Sequence, residues 1–151
     1  ANICSEQLNH HCANESLTQV IKHTPNHLQA LDRLTIIKEH LGLTKSALET
    51  YAQYFSNGGL SPNVAHRYAK LLAENQLTES AKKYFIYAIE AKPDIFQVTV
   101  FKDYVTFLMN HGFHREALSF IEKIRDKGDN ASLFMEKELN ELKRILAVAA
   151  R

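Results

Sequence analysis

Two cysteines and two histidines near the start of the chain form a cluster whose side chains are typical metal ligands. Cys4, His10, His11 and Cys12 lie close together, and thiolate and imidazole groups suit zinc. However, the spacing C-x5-H-H-C differs from the ligand spacings of known zinc sites. We therefore predict no metal site. Cys4 is interpreted as a small buried side chain, and the histidines are interpreted as solvated turn residues.

The other histidines do not form a catalytic arrangement. His23 and His27 are four residues apart, but Pro25 lies between them, so they do not share a helix face. His111 and His114 flank a glycine, where capping or surface roles are expected. No histidine has a nucleophile or a paired carboxylate at a catalytic spacing, and no phosphate loop, nucleotide fingerprint or zinc-protease motif is present. We predict no catalytic residue, no enzymatic activity and no cofactor.

Composition is that of an ordinary globular domain. The 151 residues suit one domain, and 45% of them are hydrophobic and 23% charged. The net charge of +1 does not indicate a basic surface for nucleic acid or anionic lipid. No apolar run approaches the ~20 residues that span a bilayer, and two cysteines do not make a disulfide framework. No targeting signal is visible, so the compartment stays open between cytoplasm and periplasm.

A repeat of about 34 residues is the main pattern in the chain. Equivalent alanines recur at spacings of 34, 34 and 36 residues: Ala13, Ala47, Ala81 and Ala117. A large apolar residue follows each alanine four positions later: Leu17, Tyr51, Phe85 and Ile121. A turn-compatible residue comes twelve positions after each alanine: Pro25, Gly59, Pro93 and Asp129. Each unit therefore predicts two antiparallel helices joined by a short turn.

The predicted fold is an all-α, right-handed superhelical stack of antiparallel helix pairs. The full units predict helices over 28–41, 44–57, 62–75, 78–92, 95–110 and 114–127. We expect Tyr51 and Phe85 in the core between units, and Tyr84 and Tyr87 on the outer face.

The predicted domain covers residues 1–151. It comprises a partial repeat over 1–25, full repeats over 28–61, 62–95 and 96–131, and a capping helix over 132–150. In the partial repeat, Ile3, Cys4 and Leu8 are expected to be the remainder of a first helix, and Ala13–His23 the second helix. We expect this segment to come from a larger protein, and its open repeat ends favour dimerisation of the isolated segment.

These positions give the chain a resemblance to the tetratricopeptide repeat family. The second unit resembles the family pattern best, at Ala69, Leu72, Ala81, Phe85, Ala88 and Pro93. The first unit departs from it at Thr35, Tyr54 and Gly59, the third departs at Ile121, Ile124 and Asp129, and the family's early tryptophan is absent throughout. The resemblance implies a non-catalytic interaction scaffold that binds a peptide or partner protein in a concave groove lined by the first helix of each pair.

The resemblance also implies which residues face that groove. The main set is Asp32, Ile36, Glu39, Asn63, His66, Arg67, Lys70, Lys102 and Thr106, and a wider set adds Gln29, His40, Glu74, Thr99, Asp103 and Met109. We expect Asp32, His66, Arg67, Lys70 and Lys102 to contact the partner. One subfamily grips a terminal carboxylate at these places, but Asp32 and Asp103 would repel a carboxylate. The expected groove is therefore mixed in polarity and charge.

Two alternatives belong to other functional classes. The stretch Tyr104–Gly128 also resembles a pentatricopeptide repeat, a unit that reads single-stranded RNA. The other units lack its closing pattern and the chain is not basic, so no nucleic-acid partner is expected. A gel shift at low salt tests this alternative. The second alternative is an accessory domain of an enzyme whose catalytic part lies outside this segment, which the full-length reading frame would settle.

Overall fold

The computed structural model describes residues 6–91, 97–126 and 136–149. Every regular element in these ranges is a helix, so the predicted all-α stack of helix pairs is confirmed. The helices are α1 Glu6–His23, α2 Leu28–His40, α3 Thr44–Ser56, α4 Pro62–Glu74, α5 Thr78–Glu90, α6 Gln97–Asn110, α7 His114–Asp126 and α8 Glu136–Ala149. No described helix is both long enough and apolar enough to cross a membrane.

Each helix packs against the next one along the chain, and α4, α6 and α8 also contact one another in sequence. The helices predicted over 28–41, 44–57, 62–75 and 78–92 begin at the predicted residues and end one or two residues earlier. The repeating alanines Ala47, Ala81 and Ala117 are completely buried, which allows the backbones of neighbouring helices to approach closely. The alternate helices α4, α6 and α8 form a row, and residues predicted for the groove lie on two of them, α4 and α6.

The turn inside each helix pair closes in the same way in all three pairs. A residue with positive φ ends the first helix, at Gly42 (71°), Gln76 (62°) and Gly112 (82°). The next amide then donates back to the helix, from Leu43 to Lys38 at 2.9 Å, from Leu77 to Leu72 at 2.9 Å and from Phe113 to Leu108 at 2.8 Å. This is the Schellman pattern, which satisfies the last carbonyls of a helix. Gln76 adopts it although a side chain disfavours this conformation.

The predicted division of residues 1–25 into two helices is wrong where the structure describes them. α1 is one continuous helix from Glu6 to His23, because no glycine or proline between Leu8 and Ala13 interrupts it. His10 and His11 are therefore helical and not turn residues, and the ring of His10 stacks on that of His40 with centroids 5.0 Å apart. Ile3 and Cys4 lie outside the described residues, as do Pro93, Asp129 and the start of the predicted capping helix.

Tyr84 and Tyr87, expected on the outer face, are half-buried and contact the preceding helix pair. Phe55 projects between them from the preceding pair, and its ring centroid lies 4.8 Å from that of Tyr84. The Tyr87 hydroxyl donates to the Leu60 carbonyl at 2.9 Å. These tyrosines therefore join one helix pair to the previous one, while Tyr51 and Phe85 occupy the core as predicted.

Candidate functional site

The predicted groove residues lie on the first helices of the three pairs, α2, α4 and α6. Most of them lie three, four or seven residues apart, which places them on one side of each helix, while His66 and Arg67 are adjacent. α2 carries Asp32, Ile36 and Glu39; α4 carries Asn63, His66, Arg67 and Lys70; α6 carries Lys102 and Thr106.

Polar and charged side chains from these helices form two sets that both include residues of α4, here together called the groove ladder: Asp32 with Arg67, and Asp103 with His66 and Lys70. The Arg67 guanidinium on α4 forms an ion pair with the Asp32 carboxylate on α2. His66 Nε2 and Asp103 Oδ2, on α6, are hydrogen-bonded at 2.7 Å. Lys70 Nζ lies 3.8 Å from the same Asp103 oxygen. The ladder thus links α2, α4 and α6 side by side.

The ladder also neutralises the two acids that would otherwise face a ligand. The hydrogen bond from His66 holds the pKa of the Asp103 carboxyl below its usual value, and the nearby Lys70 charge acts in the same direction against partial burial. Both His66 and Arg67 point sideways to neighbouring helices. They are partly buried, whereas Lys70 keeps 53% of its side-chain surface exposed.

Glu39 is engaged within its own helix pair. It accepts a hydrogen bond from the hydroxyl of Tyr51 at 2.6 Å. Tyr51 is completely buried, and this burial raises the pKa of its hydroxyl, as does the hydrogen bond to Glu39. Glu39 therefore satisfies a buried phenol between α2 and α3, which sequence spacing did not indicate.

The remaining predicted residues are open to solvent. Ile36, Asn63, Lys102 and Thr106 are exposed, and Ile36 keeps 37% of its surface accessible. Among the hydrogen bonds and ion pairs of the described residues, none involves their side chains. These four side chains are the groove positions that a ligand could contact without breaking the ladder, and Lys70 is the most exposed member of the ladder.

A cleft of about 330 Å³ lies between α4 and α6, here called the α4–α6 cleft. Its floor includes Phe85 and Phe107, which are 1% and 4% exposed and whose rings are 5.2 Å apart. Predicted groove residues Lys70 and Thr106 line it together with Asp103 and Glu74. The site thus combines an apolar floor with a polar rim that carries charges of both signs.

Sequence reasoning missed part of this cleft. Phe107, Asn110 and His111 also line it, and none was assigned to the groove. The available signal was helix periodicity, since Phe107 and Asn110 lie four and seven residues after Asp103. Among the described residues, no three His, Cys, Asp or Glu side chains converge as metal ligands, and Cys12 is exposed.

Solved structures of other proteins identify the fold that these helices form. No protein-family model matches the sequence, and no curated protein matches it. A solved tetratricopeptide repeat protein from Parabacteroides merdae superposes with a TM-score of 0.68 at 17% identity, over 86% of this chain and 52% of that one. The chain has the tetratricopeptide-repeat fold.

Other solved structures share this tetratricopeptide-repeat fold. MamA superposes with a TM-score of 0.69 at 16% identity, over 92% of this chain and 80% of MamA. YrrB, described as a tetratricopeptide repeat protein with an unusual peptide-binding site, superposes with a TM-score of 0.59 at 14% identity, over 73% of this chain and 56% of YrrB. At these identities the likeness concerns the fold, and the binding residues must be argued from the geometry of this chain.

Proposed function

We propose that the chain is a single domain of stacked repeats that acts as a non-catalytic scaffold and binds a peptide or partner protein in the groove formed by α2, α4 and α6. The α4–α6 cleft is the observation that carries this proposal. It is concave, its floor is apolar, and predicted groove residues line it. The neighbours with this fold include a protein described as peptide-binding, YrrB.

The ladder and the cleft have different roles in this proposal. Binding energy in protein interfaces comes mainly from a few anchors that become buried on binding, and the α4–α6 cleft offers an apolar floor for one such anchor. The ladder holds α2, α4 and α6 in place before the ligand arrives, which reduces the entropy that binding must overcome. Arg67 and His66, two of the expected contacts, are therefore assigned to the ladder.

Filling the cleft tests the proposal. Thr106 is exposed and lines the cleft, so Thr106→Trp should fill the cleft without disturbing the core. Peptides are first selected on the wild-type chain from a random display library, and their affinities are then measured by calorimetry. We expect Thr106→Trp to weaken binding at least about tenfold, because the anchor side chain loses its pocket.

The matched control is Ser119→Trp, at an exposed helical position on α7 outside the cleft. This variant should bind the selected peptides as the wild type does. The proposal is wrong if the library yields no binding peptide, or if Thr106→Trp and Ser119→Trp bind the selected peptides equally well.

A further inference from the structure

The groove continues past the α4–α6 cleft into a second cleft of about 290 Å³ between α6 and α8, here called the α6–α8 cleft. Thr106 and Asn110 on α6 line both clefts and form the wall between them. The other walls of the α6–α8 cleft include Met109 on α6, His114 on α7, and Glu138 and Glu141 on α8.

The two clefts are equivalent places in successive units. Lys70 and Ala73 line the first cleft, and Thr106 and Met109, each 36 positions later, line the second. Likewise Asp103 in the first corresponds to Lys137 in the second, 34 positions later. Because the units repeat, one extended ligand can reach both clefts, although the lining residues at equivalent places differ.

Both clefts carry more negative than positive charge. In the first cleft Lys70 pairs with Asp103, and Glu74 forms no ion pair with the other described residues; Lys137, Glu138 and Glu141 line the second cleft. With histidines neutral, each cleft has a net charge of −1, in a chain whose net charge is +1. The negative charge of each cleft favours a cationic ligand group.

The α6–α8 cleft also contains polar atoms that need a partner. Glu138 Oε2 and His114 Nδ1 are buried and form no hydrogen bond with the other described residues. An ionised carboxylate can only accept hydrogen bonds, and leaving a buried one unpaired is unfavourable. A donor with positive charge, such as a lysine ammonium or an arginine guanidinium, would satisfy Glu138.

The distance between the clefts sets the spacing of such groups in the ligand. Neighbouring packed helices lie ~8–10 Å apart, and α4, α6 and α8 contact in sequence. A peptide in the polyproline II conformation presents every third side chain on one side, ~9 Å apart. We propose that the groove binds an extended peptide with two basic residues three positions apart, one in each cleft. This inference rests on the proposed function and adds the chemistry of the ligand.

Two synthetic fluorescein-labelled peptides of identical composition test the spacing. The first contains Lys-Pro-Ala-Lys, with its lysines three positions apart, and the second contains Lys-Pro-Lys-Ala, with its lysines two apart. Their affinities are measured by fluorescence anisotropy at about 0.15 M salt, where long-range attraction is screened. We expect the first peptide to bind at least about fivefold more tightly, since only it reaches both clefts. Equal affinities would overturn the proposal.

Variants that remove one negative charge test whether Glu138 and Glu141 bind the basic peptide. Glu138→Gln and Glu141→Gln should each weaken binding of the Lys-Pro-Ala-Lys peptide, Glu138→Gln by about tenfold because it loses a charge-assisted hydrogen bond. Glu122→Gln, at an exposed position on α7, is the matched control. Since Glu141 is exposed, its variant should fold even if Glu138→Gln does not, and circular dichroism checks both. Wild-type affinity in folded Glu138→Gln and Glu141→Gln would refute the role of the acids.

The library selection separates this inference from the proposed function. If neutral or acidic peptides are selected and Thr106→Trp blocks them, the scaffold function is supported and the basic ligand is wrong. If basic peptides with the three-residue spacing are selected, both are supported. If no peptide binds, both are wrong.

Discussion

Gly59→Ala would add one methyl group at a place where the fold leaves no room for it. Gly59 is buried between α3 and α4, and a Cβ built on its backbone would overlap the ring of Tyr54, with Tyr54 Cζ only 2.5 Å away. The ring cannot easily move aside. Tyr54 is 6% exposed, its ring meets Phe55 edge-on with centroids 5.0 Å apart, and its hydroxyl accepts the Ser61 amide at 3.2 Å.

The cost follows from overpacking. Inserting a methyl group into a filled core typically costs ~1–3 kcal/mol, and a ring confined on several sides places Gly59→Ala in the upper part of that range. Such a loss is a large share of the ~5–15 kcal/mol by which a domain is stable. Urea denaturation followed by circular dichroism should show a lower midpoint for Gly59→Ala, with an unchanged slope if only stability changes.

The neighbouring glycine provides a control of a different kind. A Cβ on Gly58 would meet open space, but its φ of +90° disfavours a side chain, so Gly58→Ala should cost only ~1–2 kcal/mol. In a Tyr54→Leu background the ring is gone, and the added cost of Gly59→Ala should fall close to zero. The reasoning fails if Gly59→Ala is milder than Gly58→Ala, or if its cost is unchanged in the Tyr54→Leu background.

Two further predictions concern the core and the ladder. Ala81→Leu should lower the free energy of unfolding, measured by urea denaturation, by ~1–3 kcal/mol, because Ala81 is completely buried. Ala13→Leu, at the half-buried equivalent place in α1, should cost less. Equal costs would contradict the packing argument. Because the hydrogen bond from His66 lowers the pKa of Asp103 in the folded chain, this pairing stabilises the fold above the ordinary pKa of Asp103 and is lost as the pH falls through the lowered folded value. Asp103→Asn should therefore reduce stability at pH 7, by under ~1 kcal/mol for this half-exposed group, and the difference from wild type should disappear in strong acid; a difference independent of pH would contradict this.

Much of the fold could be predicted because its signals are local. The buried alanines Ala47, Ala81 and Ala117 recur at nearly constant spacing, and Gly42 and Gly112 mark the ends of helices. A side chain's face on a helix depends only on its position within that helix, so periodicity alone predicts which residues point the same way. The repeat register predicted that one helix ends and another begins before Ala13. The structure has a single helix there, because no residue between Leu8 and Ala13 interrupts it.

The site depended on distances between helices, which sequence spacing does not contain. Asp32 and Arg67 are 35 residues apart, and His66 and Asp103 are 37 apart, so nothing local shows that they meet. The sequence by itself determined the stack of helix pairs and the face of each first helix, because helix period and turn residues are local properties. Only tertiary packing decided which charges neutralise one another, which aromatic rings form the floor of the α4–α6 cleft, and which acids remain to face a ligand.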